Sequence, residues 1–184
     1  MKASIEKSQT RMFLTMSLSP STKDFPPEDE DIHIIKLTQA DALEISQLMN
    51  LVWSQAIHIP SDWRQKRILT PEQIIKEMES NYHYFGARIE GRIAGFYKTL
   101  LKPEGLLGEH QTVHPDFRHR GLVRAMYRQF IAYAQELEAP ANLCNILYDH
   151  ETMRALVESF GFQPEGEPYE QTSEMRVQLY KRPR

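Results

Sequence analysis

A strand that passes through a short turn into an amphipathic helix is the feature that most limits how this chain can fold. Apolar and β-branched residues at 106–113 predict the strand, which ends at His114-Pro115-Asp116. Apolar residues then recur every three or four positions between Gly121 and Leu137, which predicts a helix with one apolar face. That face consists of Leu122, Met126, Phe130, Tyr133 and Leu137. A strand joined in this way to a helix favours a domain in which helices cover a sheet.

Similar patterns divide the rest of the chain into strands and helices. The predicted strands are residues 32–37, 82–89, 92–101, 106–113, 142–148, 163–170 and 174–180. The predicted helices start after the capping boxes of Thr38 and Thr70, at Gly121, and after Asp149 as N-cap. Glu90-Gly91 is typical of a tight hairpin, so the strands on either side are expected to be antiparallel neighbours. This order predicts a single α/β (α+β) domain over residues 32–184.

Residues 1–31 differ in composition from the rest of the chain. They are rich in Ser, Thr and Pro and end in an acidic run at 28–31, so we expect a disordered N-terminal tail. An organelle transit peptide is a less favoured alternative, because Glu6 interrupts the basic segment and no clear amphipathic face is present. A start codon at Met12 or Met16 is a further alternative.

Charge and cysteine content exclude several classes of function. The chain has 184 residues and a net charge of −3, so it lacks the basic excess that nucleic-acid-binding proteins usually carry. No apolar run approaches the ~18 residues of a membrane span. The single cysteine, Cys144, cannot form an internal disulfide, which indicates a reducing, cytoplasmic compartment and an inert buried thiol. We therefore expect neither nucleic acid nor a membrane as partner.

The turn before the helix that starts at Gly121 is rich in basic residues. Those around it are Arg118, His119, Arg120 and Arg124. The first turn of a helix has unpaired backbone N–H groups and a partial positive charge, and a glycine there lets the backbone approach a ligand closely. The pattern therefore predicts a phosphate site, although a solvated basic helix start without a ligand fits the residue types equally well. The P-loop and dinucleotide fingerprints are both missing, which disfavours ATP and NAD.

In their order along the chain, these residues resemble the GNAT superfamily of acetyl-CoA-dependent N-acyltransferases. The segment Arg118-His119-Arg120-Gly121-Leu122-Val123 matches the family's cofactor motif except at Val123, where the family has Gly or Ala. Residues 153–162, which end in Phe160-Gly161-Phe162, are similar to the family's next helix. The resemblance covers about 32–181 and implies a mixed, mostly antiparallel sheet of six to seven strands with flanking helices.

The resemblance also implies which residues bind acetyl-CoA as co-substrate. The backbone of Gln111, Thr112 and Val113 would hydrogen-bond its pantetheine arm. The pyrophosphate would be held by the loop that consists of Arg118, His119, Arg120, Gly121, Leu122, Val123 and Arg124. His150 stands where many family members have an asparagine, so we place it at the cofactor as well.

By the same resemblance, the chain would move an acetyl group to a primary amine by direct attack. Glu109 is the candidate base, although an exposed structural glutamate is at least as compatible with the sequence. Only one of Glu109 and His110 can line the cleft unless a bulge intervenes. Val157 replaces the tyrosine that protonates the leaving thiolate in many members, so Tyr148 is the substitute acid, with a packed aromatic ring as the alternative. The missing tyrosine leaves a non-catalytic acyl-CoA-binding module as the second hypothesis.

The acceptor is expected to be an amine-bearing small molecule or peptide, selected by the loops at 57–69 and 169–173. For the first loop, a surface connector anchored by Trp63 is an equally good interpretation. No metal is expected, because His110 and His114 would lie ~13 Å apart on an extended strand. A homodimer is left open.

Overall fold

An eight-stranded sheet is the centre of residues 32–172 and 175–184, the part of the chain that the computed structural model describes. Its strands are β1 (Ile35–Lys36), β2 (Tyr82–Ile89), β3 (Arg92–Lys102), β4 (Gly105–Val113), β5 (Ala141–Leu147), β6 (Gln163–Pro164), β7 (Tyr169–Thr172) and β8 (Met175–Pro183). They lie in the order β1-β2-β3-β4-β5-β8-β6, with β7 paired to β8. Described strands pair antiparallel except β4 with β5. The predicted mixed, mostly antiparallel sheet is confirmed, whereas the predicted tail over 1–31 lies outside the described residues.

The sheet has more strands than expected, because the predicted strand at 163–170 is divided into β6 and β7. Gly166, between them, has a φ of +68°, which is the left-handed region that favours glycine. Pro168 has no amide hydrogen to donate to a strand ladder. The two short strands therefore pair with different parts of β8, β6 near Lys181 and β7 near Val177.

Helices cover both faces of the sheet. Those in the described ranges are α1 (Ala42–Gln55), α2 (Ser61–Gln65), α3 (Pro71–Glu79), α4 (Leu122–Glu136) and α5 (Glu151–Ser159). The four longer helices occur where the sequence predicts them, and α2 is a short addition within 57–69. The predicted N-cap at Asp149 is wrong: His150 occupies that position, and its Nδ1 accepts a hydrogen bond from the Met153 N–H at 3.4 Å. No helix in these ranges is long and apolar enough to cross a bilayer.

Local hydrogen bonds and dihedral angles confirm two of the predicted signals. The Gln73 N–H donates to Thr70 Oγ1 at 3.3 Å, and the Thr70 N–H donates to Gln73 Oε1 at 2.8 Å, which is a reciprocal capping box. At the hairpin turn, Glu90 and Gly91 have φ values of +53° and +78°. Two successive left-handed residues match the twist of the strands they join, so β2 and β3 are antiparallel neighbours as predicted.

Two hydrophobic clusters pack on opposite faces of the sheet. One joins α4 and α5 to the sheet, and the other joins α1 and α3 to it. Tyr84 and Phe85 are adjacent in β2 but belong to different clusters, because successive side chains of a strand point to opposite faces. Burial on both faces fixes the strand register, since a slip by one residue would exchange the two sets of side chains.

A buried ion pair connects α3 to the middle of the sheet. Lys98 in β3 is 3% exposed, and its Nζ lies 2.7 and 2.8 Å from the two carboxylate oxygens of Glu77. The Tyr84 hydroxyl also donates a hydrogen bond to Glu77. On the neighbouring strand, Glu109 lies opposite Lys98. Glu77 therefore neutralises the lysine that lies beside the candidate base.

We expect Glu77→Ala to lower the free energy of unfolding by about 3 kcal/mol, because it leaves the buried Lys98 ammonium without its partner. Urea denaturation monitored by circular dichroism measures this change. Glu79→Ala is the matched control at an exposed position of the same helix, and should change the value by less than about 0.5 kcal/mol. Equal stability of the two variants would contradict a stabilising role for the ion pair.

Candidate active site

A cleft opens where β4 and β5 stop pairing with each other. Their parallel ladder joins residues 106–108 to residues 142–144 and goes no further. Beyond Gly108, β4 remains paired with β3 on its other side, and β5 remains paired with β8. A cavity of about 310 Å³ lies between the diverging strands, with α4 and residues from 52–67 completing its walls. The edge of β4 that faces β5 is thus available to a ligand.

A β-bulge interrupts β4 where the strand lines this cavity. Phe96 pairs with Thr112 and Lys98 pairs with Glu109, so two residues of β4, His110 and Gln111, lie opposite the single residue between them in β3. His110 has a φ of +53°, a left-handed conformation. Glu109 and His110 are successive residues, and both line the cavity. Successive side chains of a regular strand point to opposite faces, and a bulge is the exception to this alternation that the sequence analysis left open.

His110 is half-buried, and one nitrogen of its imidazole is buried and unpartnered within the described residues. Its Nδ1 makes no hydrogen bond within the described part of the chain. Burial lowers its pKa well below the usual value, and the positive charges of Lys98 and Arg67 lower the pKa further. His110 is therefore neutral at pH 7, and Nδ1 can exchange a hydrogen bond with a bound molecule.

Aromatic rings and a guanidinium group form the wall near Glu109 and His110. The Arg67 Cζ lies 4.0 Å from the centroid of the Trp63 ring and 5.8 Å from that of Trp53. All three residues line the cavity. Burial lowers the pKa of Arg67 to about 10, an effect that the negative charge of Glu109 partly offsets. Arg67 remains a cation at neutral pH, in an environment that solvates it poorly.

The other candidate segment is the turn that leads into α4. Gly121 is the N-cap, with a φ of +80°, and His119 has a φ of +61°. The first hydrogen bond of the helix runs from the Ala125 N–H to the Gly121 carbonyl at 3.0 Å, so the preceding amides have no helical acceptor. Arg118 and Arg120 are exposed beside them. This backbone and these side chains can hold an anion.

The cavity brings together about half of the predicted site residues. Those that line it are Glu109, Gln111, Thr112, Val113, Arg118, Val123 and His150. Leu122 is buried in the core, and Arg124 lies with its Cζ 5.9 Å from the Phe160 ring centroid. Tyr148 is outside the lining, with its ring against the guanidinium groups of Arg154 and Arg176. Val157 is fully buried.

Cys144 lies in the cavity wall and is buried, as predicted. Burial raises the pKa of its thiol to about 12, against the opposing effect of a hydrogen bond with the Tyr127 hydroxyl. A thiol with so high a pKa is protonated at neutral pH and is a poor nucleophile. The chemistry of the site therefore supports no acyl-cysteine.

Sequence reasoning singled out neither Arg67 nor Trp53 as a site residue. It did identify 57–69 as a loop of the kind that shapes pockets, and that loop supplies Trp63 and Arg67 to the cavity. Trp53 lies in α1, and its Nε1 donates to Thr112 Oγ1 at 3.3 Å. The available signal was a second tryptophan, Trp63, inside the irregular, charged segment that follows this helix.

Comparisons with known proteins agree on one family. The model of the acetyltransferase (GNAT) family matches residues 45–162, which is more than half of the chain. No curated protein sequence matches the chain significantly.

Solved structures with a similar fold include three acetyltransferase-like proteins. The yncA protein from Salmonella typhimurium, solved with its cofactor acetyl-CoA, has a TM-score of 0.68 and 15% identity, covering 84% of this chain and 94% of its own. The ribosomal-protein-S18-alanine N-acetyltransferase from Escherichia coli has a TM-score of 0.66 and 18% identity, covering 82% of this chain and 92% of its own. PaiA N-acetyltransferase from Thermoplasma acidophilum, solved in complex with coenzyme A, has a TM-score of 0.68 and 12% identity. The match covers 84% of this chain and 100% of its own. At these identities the matches establish the fold.

Lowering the pH from 7 to 5 should destabilise the protein through His110. The native pKa lies below the unfolded value of about 6.5, so below that pH the unfolded chain binds a proton that the native state does not. Stability is thus fully present above pH 6.5 and falls with pH below it, by up to about 1.4 kcal/mol per unit. Urea denaturation at both pH values should show a smaller loss for His110→Asn than for the wild type.

An exposed histidine provides the control for this measurement. His58→Asn should retain the wild-type dependence on pH, because His58 lies at the surface. Identical pH dependence in the wild type and His110→Asn would show that His110 is not held neutral by burial.

Proposed function

Because the chain belongs to the acetyltransferase (GNAT) family, we propose that it moves an acetyl group from acetyl-CoA to a primary amine by direct attack. The observation that carries this proposal is the cleft between β4 and β5. One wall is an edge of β4 that pairs with no other described strand and leads from Glu109 to the basic turn before α4. An extended acyl chain and a negatively charged pyrophosphate are the ligand parts that these two features fit.

The residues present fit acetyl-CoA as co-substrate. The His114 N–H donates to the Ala94 carbonyl of β3 at 2.9 Å, so the Val113 N–H points towards the opposite edge of β4, where the cleft lies. Gln111, Thr112 and Val113 would supply main-chain hydrogen bonds to the pantetheine arm, and residues 118–124 would hold the pyrophosphate. The proteins of similar fold that were solved with acetyl-CoA or coenzyme A support this assignment. Acetyl-CoA supplies an activated thioester carbonyl.

The acceptor amine must lose a proton before it can attack. A lysine-like amine has a pKa of about 10.4, so its neutral form costs roughly 4.6 kcal/mol at pH 7. We assign Glu109 as the base that offsets this cost, because it lines the cavity and forms no hydrogen bond or ion pair within the described residues. His110, which is neutral and unpartnered at Nδ1, can accept a hydrogen bond from the same amine or from a water between them.

The carbonyl oxygen needs a donor as negative charge develops on it. The Val113 N–H points to the cleft, and we assign it this role because a fixed main-chain dipole in a site with little water stabilises such charge without reorganisation. The Val113 N–H belongs to the main chain, so this role depends on no particular side chain. It is therefore compatible with Val123 at the position where the family has Gly or Ala.

A second candidate function, acyl-CoA binding without transfer, is favoured by the lack of a well-placed acid. Val157 cannot donate a proton, and Tyr148 lies outside the cavity lining. Among the described tyrosines, Tyr97 and Tyr127 line the cavity, but burial raises both of their pKa values. As an enzyme, the protein would protonate the leaving thiolate through water or through a reoriented Tyr148.

We expect Gly121→Glu to abolish acetyl-CoA binding, because a carboxylate at the start of α4 would repel the pyrophosphate. Isothermal titration calorimetry with acetyl-CoA at sub-millimolar concentration measures the affinity. Gly121→Ala is the matched control, since it imposes the same backbone strain at φ +80° without adding charge, and should lose far less affinity. Unchanged affinity in Gly121→Glu would show that the pyrophosphate lies elsewhere.

We expect Glu109→Gln to lower kcat by roughly 10²- to 10⁴-fold, the usual contribution of a general base, with little change in acetyl-CoA affinity. Release of the coenzyme A thiol with a panel of primary amines measures the rate. A wild-type rate in Glu109→Gln would exclude this residue as the base. Tight binding of acetyl-CoA by the wild type, without thiol release for any amine, would favour the binding module.

A further inference from the structure

Arg67 is a cation in the wall of the cavity that forms no ion pair with any described residue. It follows α2, and within the described residues its guanidinium makes no hydrogen bond or ion pair. Its described contacts are with the Trp63 and Trp53 rings, at 4.0 and 5.8 Å from the centroids. Stacking on aromatic faces leaves the edge of a guanidinium, with its N–H donors, free to bind another group.

The buried lysine of the neighbouring strand has a carboxylate partner. Lys98 is 3% exposed, and its Nζ lies 2.7 Å from Glu77 Oε1. Burial of a charge is costly unless it is paired and hydrogen-bonded. The lowered pKa of Arg67, about 10, reflects this cost. A group that supplies negative charge in the cavity would therefore be bound favourably.

The loop that carries Arg67 is held in place by contacts with β7 and α1, and α1 is in turn bonded to β4. The Trp63 Nε1 donates to Gln171 Oε1 in β7 at 3.4 Å. The Ser46 hydroxyl in α1 donates to the Leu69 carbonyl at 2.6 Å. Trp53, whose ring meets that of Trp63 edge to face at 5.5 Å between centroids, is tied to β4 through Thr112. Arg67 is thus positioned before any ligand arrives, which lowers the entropic cost of binding.

Glu109 provides the opposite charge in the same cavity. Its carboxylate raises the pKa of Arg67 by electrostatic attraction, yet the two side chains do not form an ion pair within 4.0 Å. A positive and a negative group that face one cavity without contacting each other are complementary to a molecule that carries both charges. The amine of such a molecule would lie towards Glu109 and its anion towards Arg67.

We propose, on the basis of the acetyl transfer inferred above, that the acceptor is a small amine that also carries a carboxylate, and that Arg67 binds this carboxylate. A planar carboxylate matches the two parallel N–H groups of a guanidinium. A phosphate fits less well, because Glu109 would repel its additional charge and Lys98 is already paired with Glu77. The N-terminus of a peptide fits less well too, because its first residue has no free carboxylate beside the amine.

Matched pairs of amines test this inference on the full-length protein. The probes are common L-amino acids and short ω-amino acids, each compared with its carboxamide, which keeps the size and removes the anion. Thiol release from acetyl-CoA gives kcat/KM for each member. The wild type should prefer the acids by roughly 10- to 100-fold, the usual effect of one charge-assisted interaction. Arg67→Gln should lose this preference mainly through a higher KM.

Lys66→Gln is the matched control, because it removes the same charge from an exposed neighbouring position. It should keep the wild-type preference for acids. Calorimetry with acetyl-CoA checks that both variants remain folded and still bind the co-substrate. If Arg67→Gln is unstable, Arg67→Lys provides the second variant: it keeps the charge but lacks the planar pair of donors, so the preference should be reduced rather than lost.

A binding measurement separates failure of this inference from failure of the proposed function. Thermal unfolding in the presence of coenzyme A should show a larger stabilisation by the acids than by the carboxamides, with or without turnover. Turnover of carboxamides or neutral amines as fast as acids overturns the inference while leaving the acetyl transfer intact. If no amine releases coenzyme A, the transferase proposal fails, and equal stabilisation by acids and carboxamides then overturns the carboxylate site as well.

Discussion

The candidate site depends on main-chain hydrogen bonds that β4 does not make to β5. The extra residue at His110 bends β4 away after three paired positions, while β5 follows β8. Buried backbone polar groups need partners, so an open strand edge inside a protein favours an extended ligand that completes it. Glu109 and the bulged His110 both line this cavity. The open strand edge and the candidate reactive side chains therefore lie on one short segment of β4.

Charged side chains are distributed unevenly along the cleft, so its two ends differ in the charge that they offer to a ligand. The overall charge of −3 gives no hint of this, because basic residues cluster at the turn before α4. Near the other end, Glu77 neutralises Lys98 through a buried ion pair. At that end, Arg67 and Glu109 line the cavity, and neither forms an ion pair within the described residues. In the proposed function, selectivity for the acceptor follows from the charges that are not paired elsewhere.

Most elements of the fold were predictable, because their signals are local. The Thr70 capping box and the Glu90-Gly91 turn fix helix and hairpin positions within a few residues of sequence. The bulge was not predictable, since the unpaired position at His110 is defined only against β3. The role of Trp53 was also hidden, because its hydrogen bond joins it to Thr112, 59 positions away.

By itself, the sequence determined most of the order of strands and helices, the glycine before α4 and the family resemblance of the basic turn that this glycine ends. Periodicity, capping and turn chemistry depend on residues that are close together in the sequence, so they can be recognised without the structure. Only the tertiary structure decided that Arg67 and Glu109 line the same cavity and that Tyr148 lies outside it. These relations depend on how β4, β5 and the 57–69 loop pack, and long-range packing has no local signature in the chain.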